Sequence, residues 1–222
     1  DGLGRDELRR LIYGAQLSLR VGIVAVLIGS SIWTLLGLVS GYWGKVGVLG
    51  ISLDTLIMRF IDIMLAFPGL LLAIAAVAVI GPSLDNTMLI IGLLSPPAYA
   101  RVMRSMVLSV SQRDHIVAAR ALGGSDLRIL FRHIFPNCMS PLIVQATLGV
   151  ADAILSAAGL GFLGLGAVPP TPEWGAMISD SLKYLPTAPY LIFFPGFAVM
   201  LTVLAFNLLG DGLRDALDPQ IR

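Results

Sequence analysis

The chain has 222 residues, 56% of them hydrophobic and 13% charged, with a net charge of +1 and a mean hydropathy of +0.86. Soluble domains carry about 25% charged residues, so an ordinary soluble fold is excluded, and the near balance of charge excludes a nucleic-acid partner, which calls for a basic patch. One cysteine, Cys138, rules out an intramolecular disulfide and a cysteine-based zinc cluster, and is expected to serve as a small buried side chain.

The expected architecture is an all-α polytopic membrane protein, with spans read as runs of about 20 apolar residues. Residues 1–20 form a polar interfacial segment on the outer face, with Arg5, Asp6, Glu7, Arg9 and Arg10 as solvated surface. The first span is Val21–Val39, followed closely by Gly41; Gly37 and Gly41, four apart, allow close approach of another helix. The second runs from Ile57 to Ile80, and near its start Arg59 and Asp62 are placed to pair at i, i+3. Gly81-Pro82 ends it. The third, Thr87–Met103, is broken by Pro96-Pro97, which remove backbone donors.

A polar, arginine-rich island follows, DHIVAARALGGSDLRILFRHIFP at 114–136, inside a docking loop spanning 104–136. Two helical segments, Ile116–Leu122 and Asp126–Ile134, flank Gly123-Gly124, where a positive φ can break the helix. Ser125 is expected to cap the second. There Leu127, Leu130, Phe131 and Ile134 fall at i, i+3, i+4 and i+7, an apolar stripe that can meet a partner, with Arg128, Arg132 and His133 off it. His115 and His133 lack a carboxylate or cysteine at ligand spacing, so no metal site is expected there.

The fourth span is Pro141–Ala158. The Gly- and Pro-rich stretch 159–189 is expected to fold back over the outer surface, with a short helix around Trp174–Tyr184. The last span is Tyr190–Leu209, which closes a transmembrane domain of 21–210. A polar tail, 211–222, carries Asp211, Arg214, Asp215 and Asp218 as a solvated helix end with i, i+3 pairing. With the docking loop placed in the cytoplasm, ten of the fifteen Lys and Arg residues are inside, the bias that orients membrane proteins. Five spans beginning outside leave room for a sixth upstream, and the chain opens on Asp in a polar run.

Asp152 is the one acid well inside a span. An ionisable group there costs at least about 2.5 kcal/mol on insertion scales and is a functional candidate by default. It can line a pathway, or pair with a neighbouring subunit. Gln145, seven residues earlier, shares its face. The chain has no G-x-x-x-x-G-K-[ST], since Gly44-Lys45 has Val39 five residues before the glycine and Val46 after the lysine, so no ATP site of its own is expected. Two other classes compete. A gradient-driven carrier favours inverted repeats and ion ligands in broken helices, and no internal repeat is found. An intramembrane enzyme needs a nucleophile and base that Asp152 alone does not supply.

The docking loop, PPTPEWG at 169–175, GFLGLG at 161–166 and FPGFAVMLTVLAFNLLGDGLRDALDP at 194–219 occur in an order that resembles the permease subunits of ABC importers of the dipeptide, oligopeptide and nickel class. The resemblance covers nearly the whole chain. It implies a type I importer fold in the cell inner membrane, with a second homologous permease, two cytoplasmic ABC ATPase subunits that hold ATP and Mg, and an external solute-binding protein. No cofactor is expected in this chain. Residues 114–136 correspond to the family's coupling helices, and Ala118, Ala119, Leu122, Gly123, Asp126, Leu127, Leu130 and Phe131 are the expected ATPase contacts; Asp152 and Gln145 are the expected pathway residues. The expected transport is alternating access for di- or oligopeptides, with nickel or a metal chelate as the alternative cargo.

Two positions depart from the family pattern. Val117 stands where E-A-A is usual; with Asp114 as N-cap it occupies N3 and leaves a capping box incomplete, a loss of about 0.5–1 kcal/mol. Ala157 stands where close relatives often carry Glu.

Overall fold

The computed structural model describes residues 4–48, 51–94 and 97–217. Pro96 and Asp218, both used in the sequence reading, lie outside them. The order of elements is α1 (Glu7–Trp43), a two-residue antiparallel hairpin of β1 (Gly47–Val48) and β2 (Ile51–Ser52), α2 (Leu53–Leu65), α3 (Gly69–Ile80), α4 (Leu84–Leu94) and α5 (Ala98–Val110). Then follow α6 (Asp114–Ala121), α7 (Asp126–Ile129), a π-helical turn (Leu130–Ile134), α8 (Phe135–Asn137), α9 (Met139–Phe162), α10 (Trp174–Ser181) with a 3₁₀ turn (Leu182–Tyr184), and α11 (Tyr190–Leu217).

Among the described residues three helices, α1, α9 and α11, are long and apolar enough to cross a membrane, and a fourth crossing exists if α2 and α3 together make one. The five separate spans of the sequence reading therefore become three continuous helices and two interrupted stretches. The second span is divided at Ala66–Pro68, where Pro68 takes an extended conformation ahead of α3. In the third, α4 ends at Leu94 and α5 begins after Pro97, its N-cap; a proline lacks the N–H and crowds the preceding turn, which favours a break there. The interfacial segment assigned to 1–20 is not separate from the first span. From Glu7 it belongs to α1, whose 37 residues rise about 55 Å at 1.5 Å each. The mixed-charge tail likewise continues α11 as far as Leu217.

The chain divides into two compact units, 1–29 with 68–95 and 146–210, and 30–67 with 96–145 and 211–222. In the first, a core of Val21, Ala25, Val77, Met88, Ile91, Ile154 and Leu160 joins α1, α3, α4 and α9. Glycines set the spacing: a Cβ on Gly92 would stand 2.8 Å from the Ala25 carbonyl. The loop after α9 closes on α10 through one carboxylate. Glu173, buried, is the N-cap of α10 and accepts from the Gly175 N–H at 2.8 Å and the Ala176 N–H at 2.9 Å. Burial pushes its carboxyl above the ordinary value while those two N–H bonds pull it back. Gly161 leaves room for this carboxylate, which a Cβ there would overlap; Trp174 donates from Nε1 to the Leu11 carbonyl at 3.1 Å and packs on Gly14. The short helix expected at Trp174–Tyr184 is present, and these contacts account for Glu173, Trp174 and Gly175 of PEWG.

The second unit is built on the approach of α1 to α5. A Cβ on Gly37 would run into the Ala100 backbone, and one on Gly41 would lie 2.8 Å from the Val107 side chain, so the small pair read from the sequence does permit close packing. Its core contains Leu38, Met103, Val107, Val110, Ile116, Ile129, Leu130, Ile134 and Cys138. Charge pairing differs from the expectation. Asp62 bonds Arg101 of α5 at 2.6 Å rather than its helix neighbour Arg59. Cys138 has the buried role assigned to it, and desolvation raises its thiol to about 11. At neutral pH well under 1% is thiolate, the reactive form. Maleimide treatment of folded protein at pH 7 is expected to leave Cys138 unmodified until denaturant is added; rapid labelling of the native protein would contradict this burial.

Candidate functional site: the loop between α5 and α9

The loop is held by α5, whose position is fixed by a polar cluster. Arg104 bonds Asp54 with both guanidinium arms, Nε to Oδ1 at 2.5 Å and Nη2 to Oδ2 at 2.6 Å, and Ser40 Oγ donates to the same Oδ1 at 2.5 Å. The pair is partly buried, with side chains 33% and 26% exposed. One carboxylate thus joins α1, α2 and α5. The sequence reading passed over it because Asp54 and Arg104 are 50 residues apart and no local spacing links them.

Beyond α5 the backbone turns into α6. Its N-cap is Arg113, extended at φ −73° and ψ 144°, and Asp114 is the first helical residue. Val117 is then the fourth helical residue and not N3, so the incomplete capping box inferred for it does not arise. At the other end the Gly123 N–H bonds the Arg120 carbonyl at 3.0 Å and the Gly124 N–H bonds the Ala119 carbonyl at 3.1 Å. With Gly123 at φ +78° this is a Schellman termination, which satisfies the last carbonyls and suits a residue without a Cβ. Gly123 is the positive-φ breaker expected between the two segments. Ser125 occupies the cap position of α7, but its side chain makes no capping bond.

The apolar stripe of the second segment is divided. Leu130 and Ile134 are fully buried beside Ile129, inside the core under the loop, and so Leu130 does not stand on the outer surface. Leu127 and Phe131 are 61% and 53% exposed. The segment has to anchor itself before it can present anything, so one edge of the stripe is consumed by its own core; the π turn at Leu130–Ile134, with one extra residue per turn, departs from regular helical spacing there. From the first segment Leu122 is 88% and Val117 57% exposed. Ala118, Gly123 and Asp126 are also exposed, while Ala119 is half-buried against the core. The outer surface of the loop therefore carries Val117, Leu122, Leu127 and Phe131 among arginines, an unusual concentration of apolar side chains for a polar segment.

Asp126 is also bound from the side. The Tyr42 hydroxyl, in the last turn of α1, donates to Asp126 Oδ1 at 2.7 Å, and the Arg120 guanidinium stands 5.9 Å from the Tyr42 ring centroid. Sequence reasoning missed Tyr42, since nothing in GYW marks it apart from an interfacial aromatic. The two pathway candidates lie on α9. Asp152, in the first unit, is exposed, with Ala151 and Ala153 buried on either side. Gln145, in the second, is half-buried, and its main-chain carbonyl accepts from the Tyr99 hydroxyl at 3.3 Å. No group of three His, Cys, Asp or Glu able to hold a metal occurs among the described residues.

Comparison with known proteins gives these features a context. Residues 33–222 match the model of the binding-protein-dependent transport system inner membrane component family. The whole chain aligns at 52% identity with 71% of the length of the dipeptide transport system permease protein DppC of Alkalihalophilus pseudofirmus. It aligns at 51% with 71% of the di/tripeptide transport system permease protein DppC of Pseudomonas aeruginosa. The glutathione transport system permease protein GsiD of Escherichia coli is 50% identical over 226 residues, again with the whole chain against 71% of the relative. Among solved structures, an inward-facing MetNI methionine ABC transporter superposes with a TM-score of 0.76 at 18% identity, over 95% of this chain and 97% of the other. An amino acid ABC transporter gives 0.62 at 16% identity, over 94% of each chain. The fold is that of an ABC importer's membrane subunit, and the chain belongs to the family of binding-protein-dependent transport system inner membrane components.

Proposed function

We propose that this chain is one of two permease subunits of an ATP-driven importer of short peptides, contributing half of the pathway and no ATP site. The observation that carries the reading is full-chain identity of 50–52% to permeases named for dipeptides, di- and tripeptides and glutathione, all of them small peptidic solutes. A solute-binding protein delivers the peptide at the outer face of the inner membrane. Two cytoplasmic ATPase subunits, which hold ATP and Mg, seat the loop at 114–136, with Val117, Ala118, Leu122, Gly123, Asp126, Leu127 and Phe131 as its outward residues and Ala119 and Leu130 as the packing beneath. Closure of the ATPases on ATP pushes the loop, α5 transmits the push through the Arg104–Asp54 cluster, and the pathway opens outward; hydrolysis resets it. Binding-protein dependence in the family favours this over a gradient-driven carrier.

The test is ATP hydrolysis in liposomes by the permease pair with its ATPase subunits and binding protein, offered dipeptides, glutathione, or Ni²⁺ and its chelates. Stimulation by peptides is expected. Stimulation by metal alone would overturn the cargo, and no stimulation by any of them would overturn the importer reading.

Asp152 is assigned to the pathway, where an exposed acid on an otherwise uncharged helix meets the peptide's ammonium group. Asp152→Asn is expected to raise the KM for uptake by about tenfold, the scale of one charge-assisted hydrogen bond, with little loss of maximal rate. Unchanged uptake kinetics would remove Asp152 from the pathway.

A further inference from the structure

We propose that Tyr42 is a positioning residue, a latch that ties the end of α1 to the loop and is required for coupling ATP hydrolysis to transport. The proposal rests on the assignment of 114–136 as the ATPase-facing loop. Three elements converge on one phenol. The Tyr42 hydroxyl, at the end of α1, donates to Asp126, the first residue of α7; Arg120, in the last turn of α6, stands over its ring; and Trp43 packs edge-on at 4.9 Å. Asp126 follows the Gly123 turn by three residues and lies between the two outward leucines, Leu122 and Leu127. A partner pressing on those leucines displaces Asp126, and the shortest path from Asp126 to α1 is the Tyr42 hydroxyl.

The chemistry suits a latch better than a staple. Among the described residues, the apolar ties between the loop and its unit lie beneath it, through Ile116, Ile129, Leu130 and Ile134, and stabilise without direction. The Tyr42–Asp126 bond is charge-assisted and directional. The cation over the ring adds a second contact that depends on the position of the first segment as well. Asp126 and Arg120 are both exposed, so the bond forms at the surface where a partner arrives and can be remade as the loop moves. Tyr42 therefore reports the relative position of both coupling segments to a membrane-crossing helix.

Tyr42→Phe deletes the hydroxyl and keeps the ring, the Trp43 contact and the volume. In liposomes holding the full importer and its binding protein, with a dipeptide as cargo, the variant is expected to hydrolyse ATP at a rate within about twofold of the unaltered protein. Peptide moved per ATP should fall about tenfold, the size expected for one hydrogen bond to a charged acceptor. Amide hydrogen exchange should rise at residues 123–127 and not under the loop at Ile129–Ile134. Tyr42→Phe combined with Asp126→Ala should couple no worse than the poorer single variant, because both remove the same bond. A wild-type ratio of transport to hydrolysis in Tyr42→Phe, alongside uncoupling by Gly123→Pro, would overturn the latch and leave the coupling loop standing. Unaltered coupling in both would overturn the loop assignment itself. Equal losses of hydrolysis and transport, with exchange raised throughout the unit, would make Tyr42 a structural residue only.

Discussion

Gly123→Pro is expected to abolish peptide uptake while leaving the permease inserted and assembled in the membrane. Proline fixes φ near −65°, against +78° at this position, and lacks the N–H that bonds the Arg120 carbonyl. A break of this kind costs about 3 kcal/mol or more. It falls on an exposed turn, where a Cβ meets nothing within 4 Å, so the core beneath keeps its packing. What changes is the direction in which α7 leaves α6, and with it the spacing of Leu122 and Leu127, the surface offered to the ATPases. Gly123→Ala is a milder test: it keeps the N–H, and a left-handed alanine costs about 1–2 kcal/mol. Uptake assays with ATP hydrolysis measured in parallel should rank the three proteins Gly, Ala, Pro, with hydrolysis persisting in all. Wild-type uptake by Gly123→Pro would remove the turn from the coupling mechanism.

The second large effect is expected at the polar cluster behind the loop. Asp54→Ala leaves the Arg104 guanidinium partly buried, without its two carboxylate bonds, and orphans the Ser40 hydroxyl. Removing one partner of such a pair exposes the desolvation cost of the other, so a loss of about 2–3 kcal/mol is expected. Asp54→Asn, which still accepts one bond, should lose less. Because the cluster joins α1, α2 and α5, the damage should reach transport as well as stability, through a loop no longer held at its α5 end. Thermal unfolding of the detergent-solubilised complex measures the first and uptake the second. In a double-mutant cycle, Asp54→Ala with Arg104→Leu should recover part of the stability, since the uncompensated charge is gone. Equal melting temperatures for Asp54→Ala and the unaltered protein would show that the pair contributes nothing.

The contrast between Gly123 and Asp54 shows what was legible in the chain. Gly123 was found by reading along the sequence, because a positive-φ turn is a local event signalled by two adjacent glycines between helical segments. The same holds for Pro97, for the helix after Glu173, and for the small pair Gly37 and Gly41, whose four-residue spacing is a helical repeat. The Arg104–Asp54 and Tyr42–Asp126 bonds join residues 50 and 84 positions apart. Sequence periodicity carries no information on which distant helices meet, and the local i, i+3 rule chose Arg59 for Asp62 where the fold supplies Arg101.

The sequence by itself determined that this protein lies in a membrane, that it is helical, and where a polar loop interrupts it, since hydropathy and breaker residues act on neighbouring backbone. Only the tertiary structure decided which side of that loop faces out. Leu127, Leu130, Phe131 and Ile134 form one stripe on paper, yet Leu130 and Ile134 are drawn into a core completed by Leu38, Met103 and Val107 from other helices. Burial depends on the partners that a fold brings up to a face, and no face of an amphipathic helix states in advance how much of it the protein will keep for itself.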